Sequence, residues 1–389
     1  MAFALKAAVT VAILTVLFQF ISTIILNGGI LRVVQPLNNE HCRHVEGLDG
    51  CEKMVLDERR GVIYLACSPV EHRAHWFPSL HRFSAALKAN KDYIATFDLK
   101  TEKVTQLTLN GSPELSLHGM DVVHSSQNPN ELFFYLVNHR VPSTGNPEQS
   151  GADSVIEIFK TVDKKGEVLE HVRTIADPKV IVTPNDIVGS PDGQSFWFTN
   201  DYKNKLGLFR EIETYFVRST ASVGYCDVNS GCKIAASNIK GANGIVKSPS
   251  NNTFYVASAL GAGLYVFEKE QDNSLKLTNI VSTDRIPMDN LSIDEDGAIW
   301  APGFPRAFDT IQRYHDLTSP ASSRGIRFTL NPNHKTVYYR ESPLRVETIF
   351  EDDGDIASAT TSVVYRPSTK QLFLHGIASS HLTICDISA

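Results

Sequence analysis

The stretch Ser190-Pro191-Asp192-Gly193-Gln194-Ser195-Phe196-Trp197-Phe198-Thr199-Asn200 joins two signals. Its first half is turn chemistry: Pro presets φ, Asp hydrogen-bonds the backbone ahead of it, and Gly tolerates conformations other residues avoid. Its second half is a short aromatic run of strand composition. The same unit recurs as DERRGVIYLAC from Asp57, NPNELFFYLVN from Asn128, SPSNNTFYVAS from Ser248, DEDGAIWAPG from Asp294 and RPSTKQLFLHG from Arg366, at spacings of about 45 to 70 residues. That spacing holds four short strands with loops, which is one propeller blade. Six copies therefore predict an all-β, six-bladed β-propeller over residues 33–389, with a two-sheet sandwich as the alternative. A further unit, NPNHKTVYYR from Asn331, falls between the last two copies, and a second strand class includes Tyr93–Leu99 and Gly263–Glu268. Outside the N-terminus helical periodicity is scarce. Pro78–Asn90 is one amphipathic candidate, with Leu80, Phe83, Ala86 and Leu87 on one face, expected as a lid or membrane-contacting flap.

Residues Ala7–Leu31 carry no charge and lie between Lys6 and Arg32. About 25 apolar residues at 1.5 Å rise can cross a bilayer core of roughly 30 Å. The segment lacks a small-x-small cleavage site, so residues 1–32 are expected to be a signal anchor or an uncleaved signal sequence, and the helix a contact to membrane or lipid. Six cysteines agree with an oxidising compartment. Cys51 and Cys67 flank one hairpin tip, and Cys226 and Cys232 another. Cys42 and Cys385 sit at opposite ends of the blade array, where a bond would lock the first blade to the last. The sequons Asn110-Gly111-Ser112 and Asn251-Asn252-Thr253 fall in turns and fit a glycoprotein. The expected setting is the secretory pathway, membrane-anchored with a lumenal or extracellular propeller, or secreted. A net charge of −6 and a pI near 6.1 argue against nucleic acid as a partner.

Two histidines stand in strand-like runs, His118 in Leu117-His118-Gly119-Met120 and His139 in Val137-Asn138-His139. On neighbouring strands they would make an acid/base pair, since imidazole exchanges protons near neutral pH. Hydrogen-bonded structural histidines are the plainer reading. Polar residues in apolar contexts recur at Glu52, Asn185, Asp186, Asn243, Asp289 and Asn290. Amides and carboxylates are depleted in strands and costly to bury unpaired. Placed once per repeat they would converge at the tunnel, where their oxygens suit Ca²⁺. No HxH, HExxH or CxxC pattern offers a zinc site.

These residues, read in order, resemble the serum paraoxonase/arylesterase family of calcium-containing propellers. The strings that carry the resemblance are Cys42…Gly47…Glu52, His118-Gly119, Asn138-His139, Asn185-Asp186-Ile187, Thr199-Asn200-Asp201, Ala242-Asn243-Gly244-Ile245 and Asp289-Asn290 followed by Ser292. The resemblance implies a catalytic Ca²⁺ held by Glu52, Asn185, Asn243, Asp289 and Asn290. It also implies a second, structural Ca²⁺ using Asp186 and the Met120 carbonyl, a His118–His139 dyad with His118 as general base, and a Cys42–Cys385 bond. Two residues depart from the pattern. Lys53 stands where the family has an acidic ligand of the structural ion, so an ammonium is expected to take over that ion's charge. Phe304 replaces another pocket histidine and makes the mouth more apolar. The function this implies is Ca²⁺-dependent hydrolysis of small-molecule lactones and aryl esters, with promiscuous phosphotriester hydrolysis. The competing readings are a strictosidine-synthase-like propeller enzyme and a catalytically silent, membrane-tethered binding propeller.

Overall fold

The unit at 190–200 forms a tight turn and the second strand of a four-stranded antiparallel sheet in the computed structural model, which describes residues 2–87, 91–163, 165–216, 218–261, 263–332 and 342–387. Asp192 Oδ1 accepts from the amides of Gln194 and Ser195, and Ser190 closes the turn on the Ser195 carbonyl at 2.9 Å. All six copies of the unit occupy this place in their sheets: Val62–Cys67, Leu132–Arg140, Ser195–Asn200, Thr253–Ser258, Ile299–Gly303 and Gln371–His375 are second strands. The six sheets are the blades of a propeller. Their innermost strands are, in order, Lys53–Asp57, Leu117–His124, Pro184–Gly189, Ala242–Lys247, Ser292–Ile293 and Ser362–Arg366.

The ring is sealed in two ways. Six apolar clusters each fill the gap between neighbouring blades; Tyr64, Leu117 and Phe134 join blades one and two, and Met54, Phe97, Val364 and Phe373 join blades one and six. Each buried aromatic there is worth roughly 1.5–3 kcal/mol. The sixth blade takes its outermost strand, Cys42–Val45, from the start of the chain, antiparallel to Leu382–Asp386 with Cys42 opposite Cys385. Those two cysteines are bonded, as are Cys51 with Cys67 and Cys226 with Cys232.

Among the described residues five α-helices accompany the sheets: α1 (Ala2–Gly28), α2 (Val70–Arg73), α3 (Pro147–Ser150), α4 (Leu208–Tyr215) and α5 (Ala307–His315). Within α1 the span Ala4–Gly28 is long and apolar enough to cross a membrane. Its Phe20 ring packs 5.9 Å from Tyr215 and 6.0 Å from Phe216 at the end of α4.

The amphipathic helix expected over Pro78–Asn90 does not form in its described part. Pro78–Leu80 is a 3-10 turn, His81 is left-handed at φ 61°, and Arg82–Phe83 pairs with Trp76–Phe77. The reason is tertiary: Phe83 buries against Trp76 and Ala152, while Ala86, expected on the same apolar face, is exposed. Residues 88–90 of that expectation, and 333–341 of the extra unit from Asn331, lie outside the described residues. Both sequon asparagines, Asn110 and Asn251, are exposed.

Candidate active site

Each blade brings a polar side chain to the first turn of its innermost strand. Glu52 immediately precedes blade one's, and His118 is second in blade two's. Asn185 and Asp186 are second and third in blade three's, and Asn243 is second in blade four's. Asp289 and Asn290 lie just before blade five's, and Thr361 immediately before blade six's. Equivalent positions around one axis meet at the axis. The register of pairing slips between Pro184 and Ile187 and between Ala242 and Ile245, and again where blade two's second strand passes His118 and Gly119. Such bulges turn side chains out of the ladder and re-aim them. Gly119 and Gly244 let the strands crowd together. A Cβ on Gly119 would lie 2.3 Å from the Asn185 carbonyl oxygen, and one on Gly244 would lie 2.4 Å from the Leu291 nitrogen.

The contacts confirm the convergence. Asn290 Nδ2 donates to Glu52 Oε1 at 3.0 Å and Thr361 Oγ1 donates to Oε2 at 2.9 Å. His118 Nε2 lies 3.6 Å from Glu52 Oε1, and Asn185 Nδ2 lies 3.4 Å from the same ring nitrogen. The Asn243 side chain lies beside the Asp289 carboxyl and favours its ionised form. Thr199 Oγ1 braces the set by donating to the Asn243 carbonyl at 2.6 Å.

Five side-chain oxygens in this cluster have no hydrogen-bond partner among the described residues although buried: Oδ1 of Asn185, Asp186, Asn243, Asp289 and Asn290. Each such atom costs about 1–3 kcal/mol if left unsatisfied. Burial, then the neighbouring Glu52 and Asp186 carboxylates, push Asp289 well above the usual carboxylate range. Burial also opposes ionisation of Glu52, but His118, Arg73 and Thr361 outweigh it and hold its carboxyl below the usual value. Unpartnered oxygens and excess negative charge fit a hard cation with oxygen ligands. Among the described residues no three His, Cys, Asp or Glu side chains are grouped for a metal, because amides supply much of this donor set.

Lys53 fills the adjoining place. Its Nζ lies 2.7 Å from Asp186 Oδ2 and 3.0 Å from the Leu291 carbonyl, fully inside the protein. Asp186 Oδ2 also accepts the Ile245 amide at 2.9 Å. Burial raises Asp186, with Lys53 pulling the other way. Met120 is fully buried in the inner strand of blade two, opposite Leu136.

The two histidines do form a pair. His118 Nδ1 lies 2.9 Å from His139 Nε2, and His139 Nδ1 lies 2.8 Å from Ser154 Oγ. Burial, then the neighbouring His118 and Arg73, hold His139 well below the ordinary imidazole value, so it is neutral. The Trp76–Phe77 strand, just before the segment expected as a lid, covers them: the Phe77 ring packs 4.9 Å from His118, and Trp76 Nε1 donates to the His139 carbonyl at 2.8 Å. Phe304 is buried, and its amide donates to the Pro287 carbonyl, two residues before Asp289. Sequence reading missed Thr361, Ser154 and Arg73. Thr361 was findable by asking what polar residue precedes the inner strand of the sixth repeat.

The family model for arylesterases matches residues 34–387. Human serum paraoxonase/arylesterase 2 is 27% identical over 317 residues, covering 79% of this chain and 82% of its own. Rat serum paraoxonase/arylesterase 1 is 23% identical over 362 residues, covering 92% and 91%. Among solved structures, a luciferin-regenerating enzyme superposes with a TM-score of 0.50 at 13% identity, covering 90% of this chain and 94% of that one.

Proposed function

The chain belongs to the arylesterase family of ester hydrolases, and on that premise we propose that it is a calcium-dependent hydrolase of lactones and aryl esters with phosphotriester hydrolysis as a side activity. The observation that carries this reading is the group of unpartnered, buried Oδ1 atoms of Asn185, Asn243, Asp289 and Asn290 beside Glu52 and the His118 ring. Glu52, Asn185, Asn243, Asp289 and Asn290 would hold the Ca²⁺, which when bound polarises a carbonyl or phosphoryl oxygen and offsets the negative charge developing on it.

The protein's own groups supply the rest. If Asn185 keeps Oδ1 for the cation, its Nδ2 donates to His118 Nε2. The Nε2 lone pair then faces the tunnel, and the ring proton sits on Nδ1. His118 Nδ1 donates to neutral His139, whose own Nδ1 proton goes to Ser154 Oγ. When a water takes the place of the Asn185 amide at Nε2, His118 can take its proton there, while His139 and Ser154 hold its tautomer. Phe77 and Trp76 close over the dyad and exclude bulk water. Lys53 already supplies a fixed positive charge to Asp186, so the tunnel is read as taking one ion rather than two.

The disulfides and the exposed apolar α1 support a secretory-pathway protein held at a membrane or lipid surface. A strictosidine-synthase-like reading needs a free glutamate base in the channel, and Glu52 is engaged by Asn290 and Thr361. The test is a panel of lactones and aryl esters assayed with and without chelator, alongside elemental analysis. Turnover with one calcium per chain, lost on chelation, is expected. Full turnover after chelation overturns the reading.

A further inference from the structure

The end of α1 is seated on the propeller by specific contacts. Asn27 Nδ2 donates to the Leu260 carbonyl at 3.2 Å. Arg32 Nη1 donates to the Pro305 carbonyl at 3.0 Å, and its Nη2 to the Asp284 carbonyl at 2.8 Å. Further back along the helix, Phe20 packs on Tyr215 and Phe216. Between these points helix and propeller leave an open groove of about 600 Å³, within the size range of small-ligand sites.

Its lining is of one sign. Arg218, Lys240 and Arg285 line it, and no acidic side chain does among the described residues, in a chain whose net charge is −6. Arg32, at the same junction, is committed to backbone carbonyls, but these three side chains make no ion pair or hydrogen bond among the described residues. The facing wall is also unusual. The α1 residues that line the groove are Phe18, Gln19, Ser22 and Asn27, so a helix built mostly of Ala, Val, Ile, Leu and Phe turns three polar side chains to this side. From Gln19 to Asn27 the helix rises about 12 Å, more than the depth of one interfacial layer of a bilayer. Phe18, 71% exposed, marks the apolar end. Guanidinium and ammonium groups bind phosphate oxygens, and basic pockets beside membrane helices receive lipid headgroups. A zwitterionic headgroup would bring its own cation to a wall that offers no carboxylate.

We propose that this groove is a binding site for a phospholipid with a net-negative headgroup. Arg218, Lys240 and Arg285 hold the phosphate, Gln19 and Ser22 face the glycerol ester oxygens, and the acyl chains leave past Phe18 along the apolar side of α1. This rests on the membrane-surface reading above and names the lipid.

The experiment is native mass spectrometry of the full chain in neutral detergent, titrated with dioleoylphosphatidylglycerol or dioleoylphosphatidylcholine. One phosphatidylglycerol per chain should be retained, roughly tenfold or more tightly than phosphatidylcholine, a contrast that shrinks as salt screens the contact. Arg218→Gln/Lys240→Gln/Arg285→Gln should lose the contrast. Lys100→Gln/Lys179→Gln/Lys276→Gln, which removes as much charge from exposed positions outside the groove, should keep it. Equal retention of the two lipids by the wild-type protein, a contrast that survives the groove variant, or its loss in both variants alike overturns the site and leaves the membrane reading standing. Inorganic phosphate that displaces the lipid at equal concentration assigns the groove to a free anion and overturns it too. Should the groove variant not fold, the wild-type contrast and the phosphate arm decide. Retention of neither lipid overturns the site, and failure of the full chain to float with phosphatidylcholine vesicles overturns the membrane reading beneath it.

Discussion

Replacing Lys53 by Met removes the ammonium at the centre of the propeller and leaves the Asp186 carboxylate buried without its 2.7 Å partner. Both groups are almost completely shielded from water, so the loss is that of a buried pair broken on one side, about 3–5 kcal/mol. With unfolding entropy near 2.1 cal/mol/K per residue, a propeller of about 350 residues should melt about 4–7 °C lower. Lys53→Met/Asp186→Asn, which removes both charges, should recover a large part of that, giving a coupling energy of at least about 1 kcal/mol in a double-mutant cycle. Lys53→Asp makes the sharper test. It should be unstable without added metal and should acquire a second calcium-dependent increment of melting temperature, because Asp186 and the new carboxylate then face each other. The assay is thermal unfolding across a calcium titration, with ions per chain counted by elemental analysis. Two ions per chain in the wild-type protein, or an unchanged melting temperature in Lys53→Met, would refute the reasoning.

Other outcomes follow from the same geometry. Asn243→Ala and Asp289→Ala should lower kcat/KM by about 10²–10³, and calcium occupancy with it. His118→Gln should cost about 10²–10⁴ on a lactone and less on an activated aryl ester, which steady-state kinetics on both substrates will check. Cys42→Ser with Cys385→Ser opens a loop of sequence separation 343 and should lose up to about 5–6 kcal/mol, measured by denaturant unfolding of the oxidised double variant. His375 is held down to about 4, first by burial, so between that value and the unfolded 6.5 only the unfolded chain is protonated. Its contribution is therefore intact above pH 6.5 and falls by about 3 kcal/mol as the pH drops to 4. His375→Gln should flatten that part of the stability–pH curve.

What could be read from the chain alone was local. A turn followed by an aromatic strand is specified within about ten residues, so the six second strands, and the blade count they imply, were legible before any coordinates. The tunnel residues were legible for a related reason: Asn and Asp in apolar runs contradict strand preference, and each contradiction marked a bulge or turn at the axis. The cysteines at the two ends pointed to ring closure. Tertiary structure decided the rest, because the deciding partners are far apart in sequence. The apolar spacing of 78–90 suits a helix, yet Phe83 gains more by burying against Trp76 and Ala152, so Arg82–Phe83 pairs with the Trp76–Phe77 strand that caps the histidine pair. Thr361 reaches Glu52 across 309 positions and Lys53 reaches Asp186 across 133, contacts that exist only once the ring has closed. Arg73 reads as an ordinary surface charge in Glu71-His72-Arg73-Ala74. Only the packing of α2 against the start of the strand that carries His118 removes it from water and bonds it to the Leu117 carbonyl.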